Sequence, residues 1–353
     1  MPTFRPEGLI DFATNLFASA GVPPIDAAIV ARSLVDSNLC GHDSHGLMRM
    51  PQYLGFLKDG TYRANAEFVV LNETSSVLAA DGGWGLGQVQ AHRLLERLIP
   101  KAQTLGVASG TLRNCGHIGR LGEYAEVCAA KQLAFFATVN AHGSGRRVAP
   151  PGGTQGRIST NPICLGSPTS GDPVVLDFGT SVVAEGKVRV HHQKKEPVPA
   201  GWLIDSAGQP STDPGVLYNE PRGSILPFGG SQQYKGFGLG LLLDLLCGGL
   251  SGGRCSNPND PMTGIGNAVV MLVFDPAHFG GTNHFIQQTD GLTRYVRECP
   301  PRDPQQTITL PGDPERNAKR QRNQTGISIP DGTWSLIRQA AEERNVRCPE
   351  PSV

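Results

Sequence analysis

The stretch LAFFATVNAHGSGRRVAPP, residues 133–151, decides the fold class of this chain. The apolar run from Leu133 to Val139 is typical of a strand, and the glycines of GSGRRV follow it directly. A Rossmann fingerprint needs three glycines, G-x-G-x-x-G, between a strand and a helix, because the pyrophosphate of a dinucleotide must approach the backbone at the helix N-terminus. Here the third glycine is missing, and Pro150 and Pro151 prevent a helix from following. The sequence therefore predicts that any dinucleotide binds to a fold other than Rossmann.

Helical and strand patterns alternate around this stretch, which favours an α/β fold. Apolar residues recur at helical spacing on both sides of Pro23 and Pro24, so the chain is predicted to open with two amphipathic helices. Later helices are predicted over 88–103, 121–131, 236–250 and 333–345, and strands over 68–71, 77–80, 107–112, 133–139, 174–178 and 268–274. Residues 150–230 are rich in Gly, Pro, Ser and Asp, and we expect them to be mostly ordered loop around the strand at 174–178.

The composition argues against nucleic-acid and membrane partners. Lys and Arg number 31 and Asp and Glu also number 31, so the protein has no overall field of either sign. The sequence contains no run of about 18 apolar residues, and its start lacks the apolar stretch of a signal peptide. The eight cysteines include no C-x-x-C pair, which suggests reduced packing residues. We therefore expect a cytoplasmic protein that acts on a small molecule.

The densest cluster of chemically active side chains is GHDSHG, residues 41–46, followed closely by Arg49. An imidazole can pass a proton to a developing alkoxide, and a guanidinium can hold a carboxylate through two parallel hydrogen bonds. Together these groups suit a 2-oxo acid. A structural alternative is a loop whose polar side chains cap helix ends. A metal site built from His42, Asp43 and His45 is a third possibility, but no further ligand of comparable quality follows nearby.

A second cluster, RNCGHIGR, occupies residues 113–120 between a predicted strand and a predicted helix. Backbone N–H groups point outward at such a junction and can bind an anion. His117 is therefore a candidate proton donor or ligand-orienting residue, or else a loop histidine bonded to backbone.

A third cluster, LDFGTS, ends the strand predicted before residue 179. The carboxylate of Asp177 could orient an imidazole and fix its tautomer. The same residues also form ordinary Asx or Ser/Thr turns readily.

Taken in order along the chain, these motifs resemble those of the NAD(P)-dependent malate, L-lactate and ureidoglycolate dehydrogenases. That family also includes Δ1-piperideine-2-carboxylate reductase and 2,3-diketogulonate reductase. The resemblance spans nearly the whole chain and comprises GHDSHGLMRMPQY, NCGHIGR, STNPICLGSP, LDFGTSVVAEGK, YKGFGLGLLLDLLCGGLSGG and LPGDPERNAKRQRNQTGISIP. The hydroxycarboxylate dehydrogenase B branch is the most similar, through GQVQAH and PVPAGWLID.

The resemblance implies a particular architecture. We expect a non-Rossmann malate/L-lactate dehydrogenase-like α/β fold with a mixed, largely antiparallel sheet core and a helical N-terminal region. Residues 1–118 and 285–353 would form a helical substrate and dimerisation domain, and residues 119–284 a dinucleotide-binding domain. The protein would be a homodimer or higher homo-oligomer.

The resemblance also assigns functional residues. His45 would donate the proton, with Asp177 as its possible partner in the imine reductases, whereas the ureidoglycolate enzymes place the acid/base at the position of His117. We favour His45, with Ser44 and Arg49 binding the substrate. Contacts to the dinucleotide would fall on His45, Gly119, Arg120, Leu121, Leu176, Asp177, Phe178, Gly179, Thr180, Lys235, Asn267, Gly312, Asp313 and Glu315.

The implied activity is hydride transfer between NADH or NADPH and a small 2-oxo or 2-hydroxy carboxylate of the malate, lactate or hydroxycarboxylate type. A reductase of a cyclic imine carboxylate would use the same side chains and is the alternative substrate class. A metal-dependent hydrolase using His42, Asp43 and His45 is the alternative from a different class of enzyme. The sequence does not choose between NAD and NADP, because it has no Rossmann acidic residue that would contact the ribose.

Overall fold

The structure is a computed structural model that describes residues 1–257 and 266–352. Over those residues it contains ten α-helices and twelve strands. The helices are α1 Pro6–Ser19, α2 Pro24–Leu39, α3 Met50–Lys58, α4 Gly87–Leu105, α5 Gly122–Ala129, α6 Glu185–Lys194, α7 Gln233–Leu245, α8 Thr282–Arg297, α9 Asp313–Thr325 and α10 Asp331–Glu342. The strands are β1 Thr3–Phe4, β2 Val69–Glu73, β3 Val77–Gly85, β4 Val107–Cys115, β5 Ala134–Asn140, β6 Pro162–Ser167, β7 Val174–Gly179, β8 Leu203–Ile204, β9 Pro210–Ser211, β10 Ser224–Ile225, β11 Asn267–Phe274 and β12 Ile327–Ser328.

Seven strands form the central sheet, in the order β2-β3-β4-β11-β5-β6-β7. Five of the six pairings between these described strands are antiparallel, and β3 and β4 run parallel. Helix α4 joins the two parallel strands. Such a crossover helix is the usual connection between parallel neighbours. The predicted mixed, largely antiparallel sheet is confirmed.

Strand β11 occupies the middle of this sheet, between β4 and β5. Successive side chains of a strand point to opposite faces, and both faces of β11 are covered. Val269, Met271 and Val273 join the core under α4 and α5, and Ala268 and Val270 pack on the opposite face. Burial on both faces explains why β11 reads as a continuous apolar run.

The N-terminal helices form a second core. Both α1 and α2 begin with proline, which suits the first helical position because its missing N–H needs no partner there. Their apolar faces pack with α3, β12 and α10, and the rings of Phe4 and Trp334 lie 4.4 Å apart. The two predicted N-terminal helices are confirmed. The central sheet takes strands from both sides of residue 118, and the proposed domain division stays a prediction.

The loop after β5 contains the incomplete Rossmann fingerprint GSGRRV. Gly143 and Gly145 have φ of 84° and 68°, and the described chain shows no helix between β5 and β6. Val148 instead forms isolated bridges to Ile158 and Ile225. The absence of a helix N-terminus at this position agrees with the prediction of a non-Rossmann site.

Most of residues 150–230 is loop, as expected, but the region also contains a helix and strands that the sequence did not predict. This region contributes β6 and β7 to the edge of the central sheet, and it adds α6 and a small sheet of order β10-β8-β9. Strand β6 begins with Pro162 and contains Gly166, and the small strands have two residues each. Distant pairing partners stabilise these strands, so local composition does not reveal them.

The structure also answers two questions raised by composition. All eight cysteines are free, and five of them are buried. Among the described helices, none has the length and apolar character needed to cross a bilayer.

One glycine controls how closely α4 approaches the loop after β4. A Cβ at Gly87 would overlap the backbone of Gly116 and His117, whereas a Cβ at Gly55 of α3 has no atom within 4 Å. We expect Gly87→Ala to lower the free energy of unfolding by about 2 kcal/mol, because backbone atoms cannot move aside cheaply. Gly55→Ala should raise it by about 0.5 kcal/mol through its helix propensity. Urea unfolding of both variants measures the difference, and equal stabilities would contradict the close approach.

Candidate active site

One buried amide, that of Asn38 near the end of α2, holds the segment between α2 and α3. Asn38 Oδ1 accepts a hydrogen bond from the backbone N–H of Leu47 at 2.8 Å, and Asn38 Nδ2 donates to Asp43 Oδ1 at 2.6 Å. A side chain at Gly46 would overlap the same amide. These contacts fold residues 43–49 into two short 3₁₀ turns, and this segment carries the predicted substrate-binding and proton-transfer side chains.

The second predicted histidine lies in the loop after β4. The backbone N–H of Ile118 donates to Asn267 Oδ1 at 2.9 Å, and the backbone N–H of His117 donates to Tyr62 Oη at 3.0 Å. The ring of His117 is bound as well, since its Nδ1 lies 2.6 Å from Tyr53 Oη. Backbone and ring are therefore both fixed.

These two segments bring His45 and His117 together. Their rings are stacked, with centroids 5.3 Å apart and an interplanar angle of 29°. Burial, followed by the positive charge of Arg49, lowers the pKa of His45 to about 3 and holds the pKa of His117 well below its ordinary value. Both rings are therefore neutral at pH 7. A neutral imidazole has one N–H donor and one acceptor nitrogen, so either ring can hydrogen-bond a substrate oxygen.

Ser44 and Arg49 flank the histidine pair. Ser44 Oγ lies 3.0 Å from His45 Nδ1, which leaves His45 Nε2 for another partner. Arg49 Nε donates to the backbone oxygen of Ser44 at 2.7 Å, and Arg49 Nη1 donates to Gln52 Oε1 at 2.9 Å. Within the described residues Arg49 Nη2 makes no hydrogen bond, so one end of the guanidinium can bind a carboxylate. The first turn of α6 covers Ser44, because a Cβ at Gly186 would lie 2.8 Å from Ser44 Cβ.

The side chains of the alternative metal site have other partners. His42 Nε2 lies 3.0 Å from Glu315 Oε1, and Asp43 Oδ1 pairs with Arg322 Nη1 at 2.6 Å. The centroids of His42 and His45 are 6.5 Å apart. In the part of the chain that the structure describes, no three His, Cys, Asp or Glu side chains are grouped as metal ligands. This geometry gives the metal-dependent hydrolase no ligand cluster.

Asp177, the predicted partner of an imidazole, contacts α5. Its Oδ2 accepts a hydrogen bond from the backbone N–H of Gly122 at 2.8 Å, so the carboxylate satisfies a donor in the first turn of that helix. Burial raises the pKa of Asp177 above its ordinary value. The hydrogen bonds of the described residues include none between Asp177 and His45, and the role assigned to Asp177 stays a prediction.

Arg120, in the predicted dinucleotide-binding segment 119–121, turns its side chain inward and is 3% exposed. It donates to Glu126 at 3.0 and 2.9 Å and to Asp36 at 2.8 Å. Burial lowers the pKa of Arg120, but the hydrogen bonds and negative charge of Glu126, together with Asp36, outweigh this effect and raise it. The guanidinium therefore binds protein carboxylates, and a contact between this segment and a dinucleotide stays a prediction.

The predicted C-terminal contacts lie beside the edge strand β7. The backbone oxygen of Pro311 accepts a hydrogen bond from the backbone N–H of Val175 at 3.2 Å. Gly312 follows with φ of 92° at the start of α9, and Asp313 is paired with Arg297 at 2.9 Å. The start of α9 is thus fixed against the same strand that carries the predicted segment 176–180.

The remaining predicted contacts lie in three elements, since Thr180 directly follows β7, Lys235 belongs to α7 and Asn267 begins β11. Thr180 is buried and donates from N and Oγ1 to Thr160 O at 2.8 and 3.1 Å. Gly240 of α7 packs against it, since a Cβ at position 240 would lie only 2.6 Å from Thr180 Oγ1. Lys235 is exposed in the first turn of α7. Asn267 uses its Nδ2 to bind the backbone oxygen of Asn140 at 2.8 Å.

Comparison with known proteins places this site in a family. A family model described as malate/L-lactate dehydrogenase matches residues 4–338. The chain belongs to the malate/L-lactate dehydrogenase family. Membership confirms the predicted fold and the predicted class of enzyme, an oxidoreductase that transfers a hydride to and from 2-oxo and 2-hydroxy acids.

Individual members of the malate/L-lactate dehydrogenase family match along nearly their whole lengths. Hydroxycarboxylate dehydrogenase B of Escherichia coli (strain K12) is 35% identical over 99% of this chain and 96% of its own. L-lactate dehydrogenase of Cupriavidus necator is 32% identical over 96% of each chain. The solved structure of malate dehydrogenase from Pyrococcus horikoshii is 29% identical, covers 98% of this chain and 97% of its own, and superposes with a TM-score of 0.88.

The sequence did not reveal which residues hold the loop that carries His117. Tyr53 stands within the first family motif, four residues after Arg49, but its type alone does not indicate a partner. Tyr62 and Gln88 lie outside the motifs that were assigned roles, and nothing in their local sequence connects them with His117.

Proposed function

We propose that this enzyme reduces small 2-oxo carboxylates with NADH or NADPH and oxidises the corresponding 2-hydroxy acids. The observation that carries the proposal is the stacked pair of neutral rings, His45 and His117, next to the guanidinium of Arg49. A 2-oxo acid needs one group for its carboxylate and one for the adjacent carbonyl oxygen. Arg49 and the histidine pair provide these groups side by side.

The edge of the central sheet fits a nicotinamide dinucleotide. Leu165 is 44% exposed and lies directly across from Leu176, which is 36% exposed. Phe178 projects from the same face of β7, two residues further on. This exposed apolar surface can cover an aromatic ring system, and the polar turn at Gly312 lies beside it. When bound, the nicotinamide supplies or accepts the hydride.

We assign the proton transfer to His45 Nε2. Its Nδ1 faces the Ser44 hydroxyl, and the backbone of Ser44 binds Arg49, so His45 sits next to the proposed carboxylate site. The charge of Arg49 is one of the two main causes that keep His45 neutral. A substrate carboxylate that pairs with Arg49 would cancel this effect and raise the proton affinity of His45. Substrate binding would therefore promote uptake of the proton that reduction requires.

A cyclic imine carboxylate is the less well supported substrate. It would bind Arg49 through the same carboxylate, but the two curated relatives described above are named for hydroxy acids. Asp177, which that chemistry would pair with His45, is hydrogen-bonded to Gly122.

We propose that the enzyme is a homodimer or larger homo-oligomer, because it has an exposed apolar surface. The face of α7 and of the turn after it exposes Leu242 by 60%, Leu245 by 51% and Leu250 by 61%. A contiguous apolar helix face of this kind is typical of an interface between subunits.

Removal of the proton donor should affect the chemical step more than binding. We expect His45→Ala to lower the single-turnover reduction rate by about 10²–10⁴-fold and to weaken dinucleotide binding much less, because the other predicted contacts to the dinucleotide remain. His117→Ala should weaken substrate binding and lower the rate less. Stopped-flow absorbance of the reduced nicotinamide, run against a panel of 2-oxo acids with both cofactors, measures this. A larger chemical defect in His117→Ala would exchange the two roles, and no turnover of any acid by wild type would reject the proposal.

Arg49→Lys keeps the charge but loses the planar fork that meets a carboxylate through two hydrogen bonds. We expect KM for the 2-oxo acid to rise by about 10-fold or more while the Kd of the dinucleotide stays unchanged. Arg302→Lys is the control, since Arg302 is exposed. An unchanged KM in Arg49→Lys across the panel would exclude Arg49 from carboxylate binding.

The proposed interface can be tested by light scattering. Wild type should have the mass of a dimer or larger oligomer, and Leu242→Glu should shift the population toward monomer, because burying a charge opposes association. Leu105→Glu changes a leucine that is 47% exposed at the end of α4 and should leave the mass unchanged. A monomeric wild type would contradict the assembly.

A further inference from the structure

Tyr53 belongs to α3, and its side chain is buried in the core of the N-terminal helices. Its hydroxyl has two polar neighbours. Gln88 Nε2 donates to Tyr53 Oη at 3.3 Å, and His117 Nδ1 lies 2.6 Å from the same oxygen. Residues 53, 88 and 117 thus form a chain of three side chains from three separate elements.

With the nitrogen of the Gln88 amide facing Tyr53, His117 Nδ1 is the one acceptor among the described residues for the hydroxyl proton of Tyr53. An amide nitrogen only donates, so the Tyr53 oxygen accepts from Gln88. The single proton of the hydroxyl is then available for His117 Nδ1, and burial keeps it in place by raising the pKa of Tyr53 to about 12. A nitrogen that accepts a hydrogen bond carries no proton itself. The ring proton of neutral His117 must therefore reside on Nε2.

A second tyrosine separates two roles at the same loop. The ring of Tyr62 lies 6.0 Å from that of Tyr53, and its hydroxyl accepts the backbone N–H of His117. Tyr62 therefore fixes where the residue lies, whereas Tyr53 contacts the ring nitrogen. Both hydroxyls bind protein groups, and both side chains are buried.

We propose that Tyr53, oriented by Gln88, is a positioning residue that fixes His117 in the tautomer with its proton on Nε2. His117 then presents a donor to the oxygen of the substrate, while the Nε2 of the stacked His45 exchanges the proton. This catalytic consequence rests on the proposed function, but the tautomer itself does not. An Nδ1-protonated ring would present an acceptor instead and would repel a carbonyl oxygen.

The tautomer can be measured in the free enzyme by ¹⁵N NMR of protein labelled at histidine, with His117→Gln used to assign the signal. Wild type should show a protonated Nε2 and an unprotonated Nδ1 at His117. Tyr53→Phe should give a mixture of tautomers, because the ring loses the donor that selects one. Tyr62→Phe is the matched control, since it removes a hydroxyl from the same loop and should leave the tautomer unchanged even if it lowers stability.

Kinetics provide the second readout. Tyr53→Phe should lower kcat by about 10-fold or more and change the Kd of the dinucleotide by less than about 3-fold. A wild-type proton on Nδ1, or an unchanged tautomer in Tyr53→Phe, would overturn the proposal whatever the activity. An altered tautomer with unchanged kcat would overturn its catalytic part alone. Failure of wild type to reduce any 2-oxo acid would instead count against the proposed function, because the NMR result needs no substrate.

Discussion

A single buried amide at the start of the central strand joins the loops on which the site depends. Asn267 is the first residue of β11, which pairs with β4 on one side and β5 on the other. Its Oδ1 accepts the backbone N–H of Ile118, and its Nδ2 donates to the backbone oxygen of Asn140. The loops that leave β4 and β5 are therefore held by one side chain, whose oxygen and nitrogen are both hydrogen-bonded. The position of the histidine loop follows from the register of the sheet.

The electrostatics of the site depend on the way its components are enclosed. Partial burial of His45 and His117 favours their neutral forms, and the positive charge of Arg49 opposes a further positive charge on either ring. Arg120 is compensated by ion pairs with Asp36 and Glu126. The site thus keeps two neutral rings next to the positive charge of Arg49. An anion that binds Arg49 would therefore change the electrostatic environment of both rings.

The sequence predicted those features that are local in the chain. Periodicity predicted α1, α2 and α4, and the apolar run over residues 268–274 predicted a strand without showing its place in the sheet. The family motifs identified residues 44, 45, 49 and 117, because the chemistry of these side chains is visible in the sequence. The structure shows that they lie in one place, and their individual roles stay predictions.

Features that depend on distant contacts were not predicted. Tyr53 and His117 are 64 residues apart, and Tyr62 is 55 residues from His117. A buried tyrosine looks like an ordinary core residue until its hydroxyl partner is known. In the same way, nothing near Arg120 in sequence indicates that Asp36 neutralises it, and β6 becomes recognisable as a strand through its pairing with β5 and β7. Contacts between residues that are distant in the sequence determine these features, and composition does not reveal them.

The strand order has a consequence for synthesis on the ribosome. The chain emerges from its N-terminus, so β4 and β5 are available long before β11, which begins at Asn267 and lies between them. Until β11 arrives, each of these two strands keeps an unpaired edge, and a nascent chain with such edges is prone to wrong pairing. The two halves of the sheet can join only after residue 274 has left the exit tunnel. The complete central sheet, and with it the fixed position of the loops after β4 and β5, is therefore formed late in translation.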